Sequence, residues 1–453
     1  VSTRSTQVAI IGGGLAAFTA AETIRRSGAD ALMIHPQSPG ATALWSGLGQ
    51  AFGPAGSLLP QSAGSVEAAE RVVQTLTTDR DERFAALSRR RPFHPYARWG
   101  LSRAEVGAHL KSALRSLDYA GIERVDEEVV FPTAYAAPYS ADIVATSTRQ
   151  SAITAGERVG VVACPALADW SAARLVDALN STRPDTAVVV EAAPLSSLPG
   201  ASSHSVKVAT QLAAALEDAP GTFAAALEQS VDAHGIDLLT LPPCLGRSWT
   251  EHVEIFGALE DVLSCRVAES AAARNSIHGW RLDRYLRSRN ALEVVSARAV
   301  SAAVENRSAR AVNTVSDTVS ADAVILATGR WIGRGLPGSA PLREPIFGVD
   351  LWLDGGPIRN PEEAWPPRLL EELPWGDHPL FRAGVATDET LRPLDLNGAP
   401  AVDNVFAAGR LLAGFNPIWD GTTMGVDLIS GRLAALFALE YLGIAASREE
   451  MTS

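Results

Sequence analysis

Cysteine is scarce: three in 453 residues, Cys164, Cys244 and Cys265, with no C-x-x-C spacing among them. That spacing excludes a zinc ribbon, a redox C-x-x-C pair and a self-contained iron–sulfur cluster, so no metal site is expected; unpaired thiols suit a reducing compartment. No apolar run approaches the roughly 20 residues that cross a bilayer, so no direct membrane span is expected. Positive charge is also in deficit. Lys and Arg total 39 against 51 Asp and Glu, a formal charge of −12. Such a surface repels phosphate backbones and anionic lipid, which argues against a nucleic-acid partner. Any anionic small-molecule substrate would need a local cluster of cations. The opening VSTRSTQ is polar and runs straight into a strand, so no signal peptide is expected. The expected location is cytoplasmic. Internal repeats and low-complexity tracts are absent.

What is present is ordinary globular composition, 47% apolar and 20% charged, in a chain long enough for two or more domains. Gln7–Ile11 is a β-rich run, Leu15–Ser27 has helical spacing with Gly28 placed as its C-cap, and Ala31–His35 is a second strand. This is a βαβ opening of about the usual 30 residues. A Gly/Ser/Pro-rich loop (Pro39–Gly56) follows, then a helical pattern over Ser65–Arg89. The mixed-charge run Asp79–Arg91 reads as a solvated helix face. From about Tyr96 to His278 the texture becomes that of an inserted α/β domain. It has strands at Arg158–Cys164, Thr186–Glu191 and Gly235–Cys244, and a helix at Asp169–Asn180. Beyond Trp280, VVSARAVSAAVEN and SARAVNTVS read as a hairpin. Ala321–Gly329 and Asn404–Gly409 are buried strands closed by glycine, and about Gly425–Leu442 is a buried helix apolar on most sides.

The segment GGGLAA places Gly12, Gly14 and Ala17 in a G-x-G-x-x-G/A pattern, with Gly13 between, after a strand and at the start of a helix. Gly12 permits the tight turn, Gly14 lets backbone approach a pyrophosphate, and Ala17 allows close helix–strand packing; the helix N-terminus supplies donors and positive potential. Where such domains commonly place a ribose-binding acid, this chain has His35. AVILATGR brings Thr328 and Gly329 to a strand end, where backbone can lie against a flat ring. NVFAAGRLLAGF and the helix after it offer Gly409, Arg410, Gly421 and Gly425, with donors suited to the negative pole of a reduced flavin. Ser46 and Gly47 of WSGLG, and Val300 in the hairpin, complete the expected cofactor set. A nicotinamide domain has no use for the C-terminal return, so a flavin is expected: FAD, with FMN as the alternative. The expected fold is α/β, a two-part Rossmann-like FAD-binding domain of the glutathione-reductase/fumarate-reductase type with an inserted α/β domain. The expected divisions are 1–95, 96–278 and 279–453.

Seven segments also carry a family likeness: GGGLAAFTAAETIRRSG, SGLG, HPY (His94–Tyr96), LPPCLG, REPIFGVDL (Arg343–Leu351), ATDETLRP (Ala386–Pro393) and NVFAAGRLLAGFNPIWDG. They run in order from Val8 to about Gly425. On them the chain resembles the B subunit of the anaerobic glycerol-3-phosphate dehydrogenase, a flavoprotein. The resemblance implies work alongside a catalytic FAD subunit and an iron–sulfur membrane-anchor subunit, and a cofactor usually given as FMN. The chain departs from the family pattern at Thr422, where a Cys is usual, and at Asn416, where an Asp is. At Arg410 it departs from flavoproteins that carry an acid there.

Oxidising an alcohol with a flavin needs a base for the hydroxyl proton, and an anionic substrate needs a cationic clamp. His94 and His278 are the candidate bases; Arg281, Arg343 and Arg392 are candidate clamps. Asp388 and Glu389 could carry protons or simply cap a turn. The expected function is a flavin-dependent dehydrogenase, or a flavin subunit of one, oxidising a small hydroxy compound such as glycerol 3-phosphate and passing electrons to a partner subunit or quinone. Two alternatives are a non-catalytic electron-relay or scaffold subunit, and a stand-alone flavoenzyme of the fumarate-reductase or ketosteroid-dehydrogenase type.

Overall fold

The computed structural model describes residues 2–54, 79–127, 129–133, 138–165, 167, 169–182, 185–191, 209–217, 220–271, 276–331, 335–337, 342–359, 369–371 and 376–446. The chain divides into two compact units. One comprises Val1–Ala41, Gln50–Asp118 and Arg289–Ser453; the other comprises Thr42–Gly49 and Tyr119–Ser288. These divisions fall elsewhere than at 95 and 278. Helix Arg103–Leu117, opened by a Ser102/Glu105 capping box, packs with helices Leu15–Ser27 and Thr423–Tyr441 of the first unit, while Leu48–Gly49 pairs with Ile143–Ala145 of the second.

The first unit is built on a seven-stranded sheet. Val8–Ile11 is apolar on both faces and buried, the signature of a central parallel strand. Strand Ser2–Ile11 has Ala31–Ile34 on one side and Asp317–Leu326 on the other, both parallel; Glu293–Val295 extends the sheet beyond Ala31–Ile34. The ten-residue strand Asp317–Leu326 is shared along its far edge. Its first half pairs antiparallel with Ser308–Thr314, and Val324–Leu326 pairs parallel with Val405–Ala407. The N-terminal βαβ is thus completed by strands from near residues 320 and 405, the two-part arrangement expected of an α/β Rossmann-like domain. The expected hairpin is divided: Glu293–Val295 is a parallel strand, and the turn joins Ala299–Glu305 to Ser308–Thr314. Helix Leu15–Ser27 ends at Gly28 (φ 76°), as its C-cap glycine requires. Thr423–Tyr441 is buried along nearly all of its first three turns.

Before residue 91, residues 65–78 of the expected helix lie outside the described residues, and the rest forms helix Arg80–Arg90 capped by Asp79. Its charged face is not uniformly solvated. Arg83 is buried and donates to the Gly53 carbonyl through Nε (3.0 Å) and Nη2 (2.6 Å), because an arginine can satisfy a backbone oxygen that no solvent reaches.

The second unit holds a four-stranded parallel sheet in the order Arg266–Glu269, Leu238–Leu241, Val159–Val162, Ala187–Val190. Its apolar strands share one core with flanking helices such as Trp249–Val262. In chain order the sheet reads 2-1-3-4, so its topological switch point lies between Val159–Val162 and Leu238–Leu241.

Candidate cofactor-binding site

The glycine loop of the first unit is shaped by a close crossing. Gly12 has φ +136°, and a Cβ there would sit 2.2 Å from the carbonyl oxygen of Ala327. The loop is pinned by Gly12 N–H donating to Ile34 O (3.0 Å) and Ala327 N–H donating to Ile11 O (2.8 Å). Gly14 is the N-cap of helix Leu15–Ser27; no side chain caps that helix and no acid lies in its first turn. Ala17 is fully buried beneath it. His35 is buried and lies against the loop, where a Cβ on Gly13 would meet its Nδ1 at 2.8 Å. That Nδ1 donates to the carbonyl of Pro36 at 2.9 Å.

Thr328 and Gly329 follow Ala327 directly. The Thr328 hydroxyl is buried and has no hydrogen-bond partner among the described residues. The Val405–Ala407 strand then delivers Ala408, whose N–H donates to Leu326 O (2.9 Å), and Gly409, whose N–H donates to Ser430 Oγ (2.7 Å). Arg410 Nε bonds Asp427 Oδ2 at 3.1 Å, and burial raises the Asp427 carboxyl. Helix Thr423–Tyr441 has no side-chain cap and no first-turn acid. Two uncapped helix N-termini in one unit, each reached through a glycine-bearing loop, together with an unsatisfied hydroxyl, fit the phosphate and polar edge of a flavin. Val300 sits apart from this set, exposed on the outermost strand of the hairpin.

The loop before the terminal helix is held by charge. Asp420 is fully buried and accepts from Asn416 N–H (2.6 Å), Arg90 Nη2 (2.9 Å) and Arg91 Nε (2.9 Å). Asp377 bonds Arg91, accepts from Asn416 Nδ2 (2.7 Å) and pairs with Arg382 (3.1 Å). A carboxylate at 416 could not donate to Asp377. Gly421 follows, and a Cβ on Gly425 would meet the hydroxyl oxygen of Tyr96 at 2.2 Å.

His94, expected as a base, is buried. Its Nδ1 accepts from Tyr96 N–H (3.2 Å), capping helix Pro95–Arg98, so Nε2 carries the proton toward Thr422 Oγ1 at 2.9 Å. Burial, with help from Arg91 and Arg90, holds its pKa at about 3. Thr422 Oγ1 accepts this bond. Asp388 accepts from Thr390, from Arg392 N–H and from Arg392 Nε (2.8 Å), closing a turn. Glu389 lies in that turn. Arg343 is half exposed and pairs with Asp350 (3.0 Å). Its neighbour Glu344 turns inward to accept from Ile346 and Phe347 N–H, and burial pushes its pKa up to about 7.

Within the second unit, Arg281 is engaged internally. Nη1 and Nη2 donate to Glu269 at 2.6 and 2.8 Å, Nε to Gly246 O (2.7 Å) and Nη2 also to Leu245 O (2.7 Å). Glu269 further accepts from Ser147 Oγ (2.8 Å), Cys244 N–H (2.9 Å) and Leu245 N–H (2.8 Å). LPPCLG is therefore the wrapping of a buried ion pair. With its donors committed, Arg281 is not placed to clamp a substrate. His278 Nε2 donates to Ser270 O (3.1 Å), and burial lowers its pKa to about 4. A Cβ on Gly47 would meet its ring at 2.6 Å, so the Ser46–Gly47 backbone lies on His278.

Glu269, Asp420, Asp427 and Arg330 were not singled out by sequence. Only Arg330 carried a local signal, its position directly after the ATG strand end.

Among the described residues no cluster of three or more His, Cys, Asp or Glu could hold a metal ion, and no helix is long and apolar enough to cross a membrane. No family model matches the chain. The B subunit of the anaerobic glycerol-3-phosphate dehydrogenase of Vibrio cholerae is 24% identical over 457 residues, covering 93% of each chain. The chain is a relative of proteins bearing that name. The corresponding B subunit of Pectobacterium carotovorum is 28% identical over 47% of this chain and 49% of that one. The probable B subunit of Halobacterium salinarum is 35% identical over 124 residues, so this chain spans 27% of that relative's length. Among solved structures, an E. coli quinol fumarate reductase FrdA variant overlays 99% of this chain and 72% of its own, with TM-score 0.39 and 12% identity. The 3-ketosteroid Δ1-dehydrogenase of Sterolibacterium denitrificans gives TM-score 0.37 and 12% identity, over 96% of this chain and 100% of its own.

Proposed function

We propose that the first unit binds a flavin and that the chain is the flavin-carrying subunit of a dehydrogenase acting on a small hydroxy compound such as glycerol 3-phosphate. The observation that carries this reading is the crossing of Gly12 over Ala327, with a buried Thr328 hydroxyl unsatisfied among the described residues and the uncapped N-terminus of helix Leu15–Ser27 directly following. Gly13, Gly14, Thr328, Gly329, Gly421 and Gly425 would hold the cofactor through backbone donors and close approach, while Gly12 and Gly409, whose N–H groups are bonded within the fold, would contribute close approach alone, with Arg410 held in place by Asp427. FAD ranks first because both halves of a dinucleotide domain are present; FMN is the alternative because His35 replaces the ribose-binding acid. A bound flavin supplies two-electron acceptance. Arg343 and Arg392 are the clamps we propose for an anionic substrate, since Arg281 is engaged elsewhere. Electrons would pass to partner subunits, as the relatives' names indicate a multi-subunit enzyme.

A second reading, an electron-relay subunit, is favoured by one observation: the expected base His94 and the expected clamp Arg281 both serve the fold. Anaerobic titration of the purified chain with glycerol 3-phosphate separates the two. Bleaching of the flavin absorbance by substrate alone supports a dehydrogenase. A flavin that stays oxidised until a reduced partner subunit is added supports the relay.

A further inference from the structure

Arg330 is 5% exposed, yet among the described residues no carboxylate lies within ion-pairing distance of it. Its Nη1 donates to the carbonyls of Phe381 and Phe415, the latter at 3.1 Å, and its Nη2 donates to that of Leu412. Its guanidinium carbon lies 4.8 Å from the centroid of the Phe415 ring. Its Nε is buried and has no hydrogen-bond partner among the described residues. Burial lowers its pKa to about 9, with Asp420 and Asp427 opposing from a distance, so the side chain stays charged at neutral pH. A buried charge without a counter-ion is costly, and neutral carbonyls and a ring face offset only part of that cost. A fold that needed only a tie between these loops would be served by an uncharged donor. Arg330 follows Ala327, Thr328 and Gly329 directly, so a second unsatisfied buried donor, the Thr328 hydroxyl, lies two residues away on the same strand end. Thr328 also lies in the backbone that crosses Gly12.

We infer that Arg330 is the fixed cation of the cofactor site, held without an ion pair among the described residues for an anionic part of the bound flavin, and that Thr328 assists it. This deepens the flavin reading and rests on it. Two parts of a flavin present anionic oxygen: the phosphate, and the ring once reduced. A cation beside the phosphate raises affinity for FMN and FAD over riboflavin. A cation beside the ring raises the midpoint potential instead, because it stabilises the reduced form.

The test compares wild-type protein with Arg330→Gln, which keeps donors but no charge, and with Arg330→Lys, which keeps charge but loses the planar fork. Dissociation constants for riboflavin, FMN and FAD are measured on the apoproteins, and the midpoint potential and Tm on the holoproteins. Arg330→Gln is expected to weaken FMN and FAD by about tenfold or more with riboflavin unchanged, if the phosphate is the partner. If the ring is the partner, it loses about tenfold in preference for the reduced form, about 30 mV for a two-electron couple. Arg330→Lys is expected to stay near wild type in whichever quantity moved. Equal falls of both variants in Tm and affinity, or an Arg330→Gln variant unchanged in both affinity and potential, would overturn the assignment. If Arg330→Gln does not fold, the wild-type apoprotein decides: equal affinity for riboflavin and FMN, with a potential at or below that of free flavin, also overturns it. Wild-type protein that binds no flavin defeats the underlying reading rather than this residue's role.

Discussion

Glu269 and Arg281 face each other through two buried hydrogen bonds of 2.6 and 2.8 Å at the carboxyl end of the second unit's parallel sheet. Glu269 ends the edge strand of that sheet, one strand away from the switch point where open α/β sheets commonly take a ligand. Here the chain's own carboxylate receives the two backbone N–H groups, the hydroxyl and the guanidinium that an anion would use. The pair therefore satisfies within the fold the donors that a bound anion would use.

Removing one partner leaves a buried charge. Glu269→Gln or Arg281→Met is expected to cost roughly 3–5 kcal/mol, while the double variant costs less than the sum of the two. Urea denaturation of the three variants measures this, and additive losses would show that the pair is not coupled.

The buried imidazoles set the pH dependence of stability. Burial holds His94 at about 3 and His252 and His278 at about 4. The unfolded chain takes up protons on them below about pH 6.5 while the folded chain does not, so their stabilisation, complete above that value, is lost as pH falls toward 4. Glu344, raised to about 7 by burial, has the opposite sign: its contribution is present at low pH and is lost as pH rises through 7. Between pH 7 and 5, His94→Asn is expected to shrink the loss of stability by about 1.5–2 kcal/mol. Glu344→Gln should enlarge the loss. Unfolding curves at the two pH values check both signs.

Much of the first unit was legible because its elements are locally encoded. Val8–Ile11 is apolar on both faces, Gly28 stops the first helix, and Thr423–Tyr441 is apolar nearly all round. What could not be read were partners made by topology. Asp420 meets Arg91 across 329 residues of chain, and Glu269 meets Ser147 across 122, with no spacing to announce either contact. Arg281 and His94 looked chemical because charge and imidazole are the vocabulary of active sites; burial and neighbouring backbone turned both to structural use. The strand Glu293–Val295 was absorbed into a hairpin because a three-residue strand has too little pattern to separate it.

Asn416 gives a test of loop fixation. Its Nδ2 donates to Asp377, so Asn416→Asp brings two carboxylates together and is expected to cost about 1–3 kcal/mol. Adding Asp377→Asn should restore part of the loss, since the new amide can donate back to residue 416. A thermal scan in which the second change adds to the damage would contradict this pairing.

The glycine loop predicts an order of severity. Gly12→Ala drives a methyl into the Ala327 backbone at a φ that L residues avoid, whereas the atoms nearest a methyl at Gly13 belong to the His35 side chain rather than to backbone. Gly12→Ala is expected to abolish flavin retention and lower Tm, and Gly13→Ala to do less of both. Equal behaviour of the two variants, read by absorbance and melting temperature, would contradict the crossing as the basis of the site.

The flavin site stands most directly on one measurement: mass spectrometry of the small molecules released by heating the purified, unmodified chain. FAD, or FMN in its place, in amounts equimolar with protein is the predicted result. Protein that carries no flavin and takes none up when mixed with FAD or FMN would contradict the cofactor site and the function built on it.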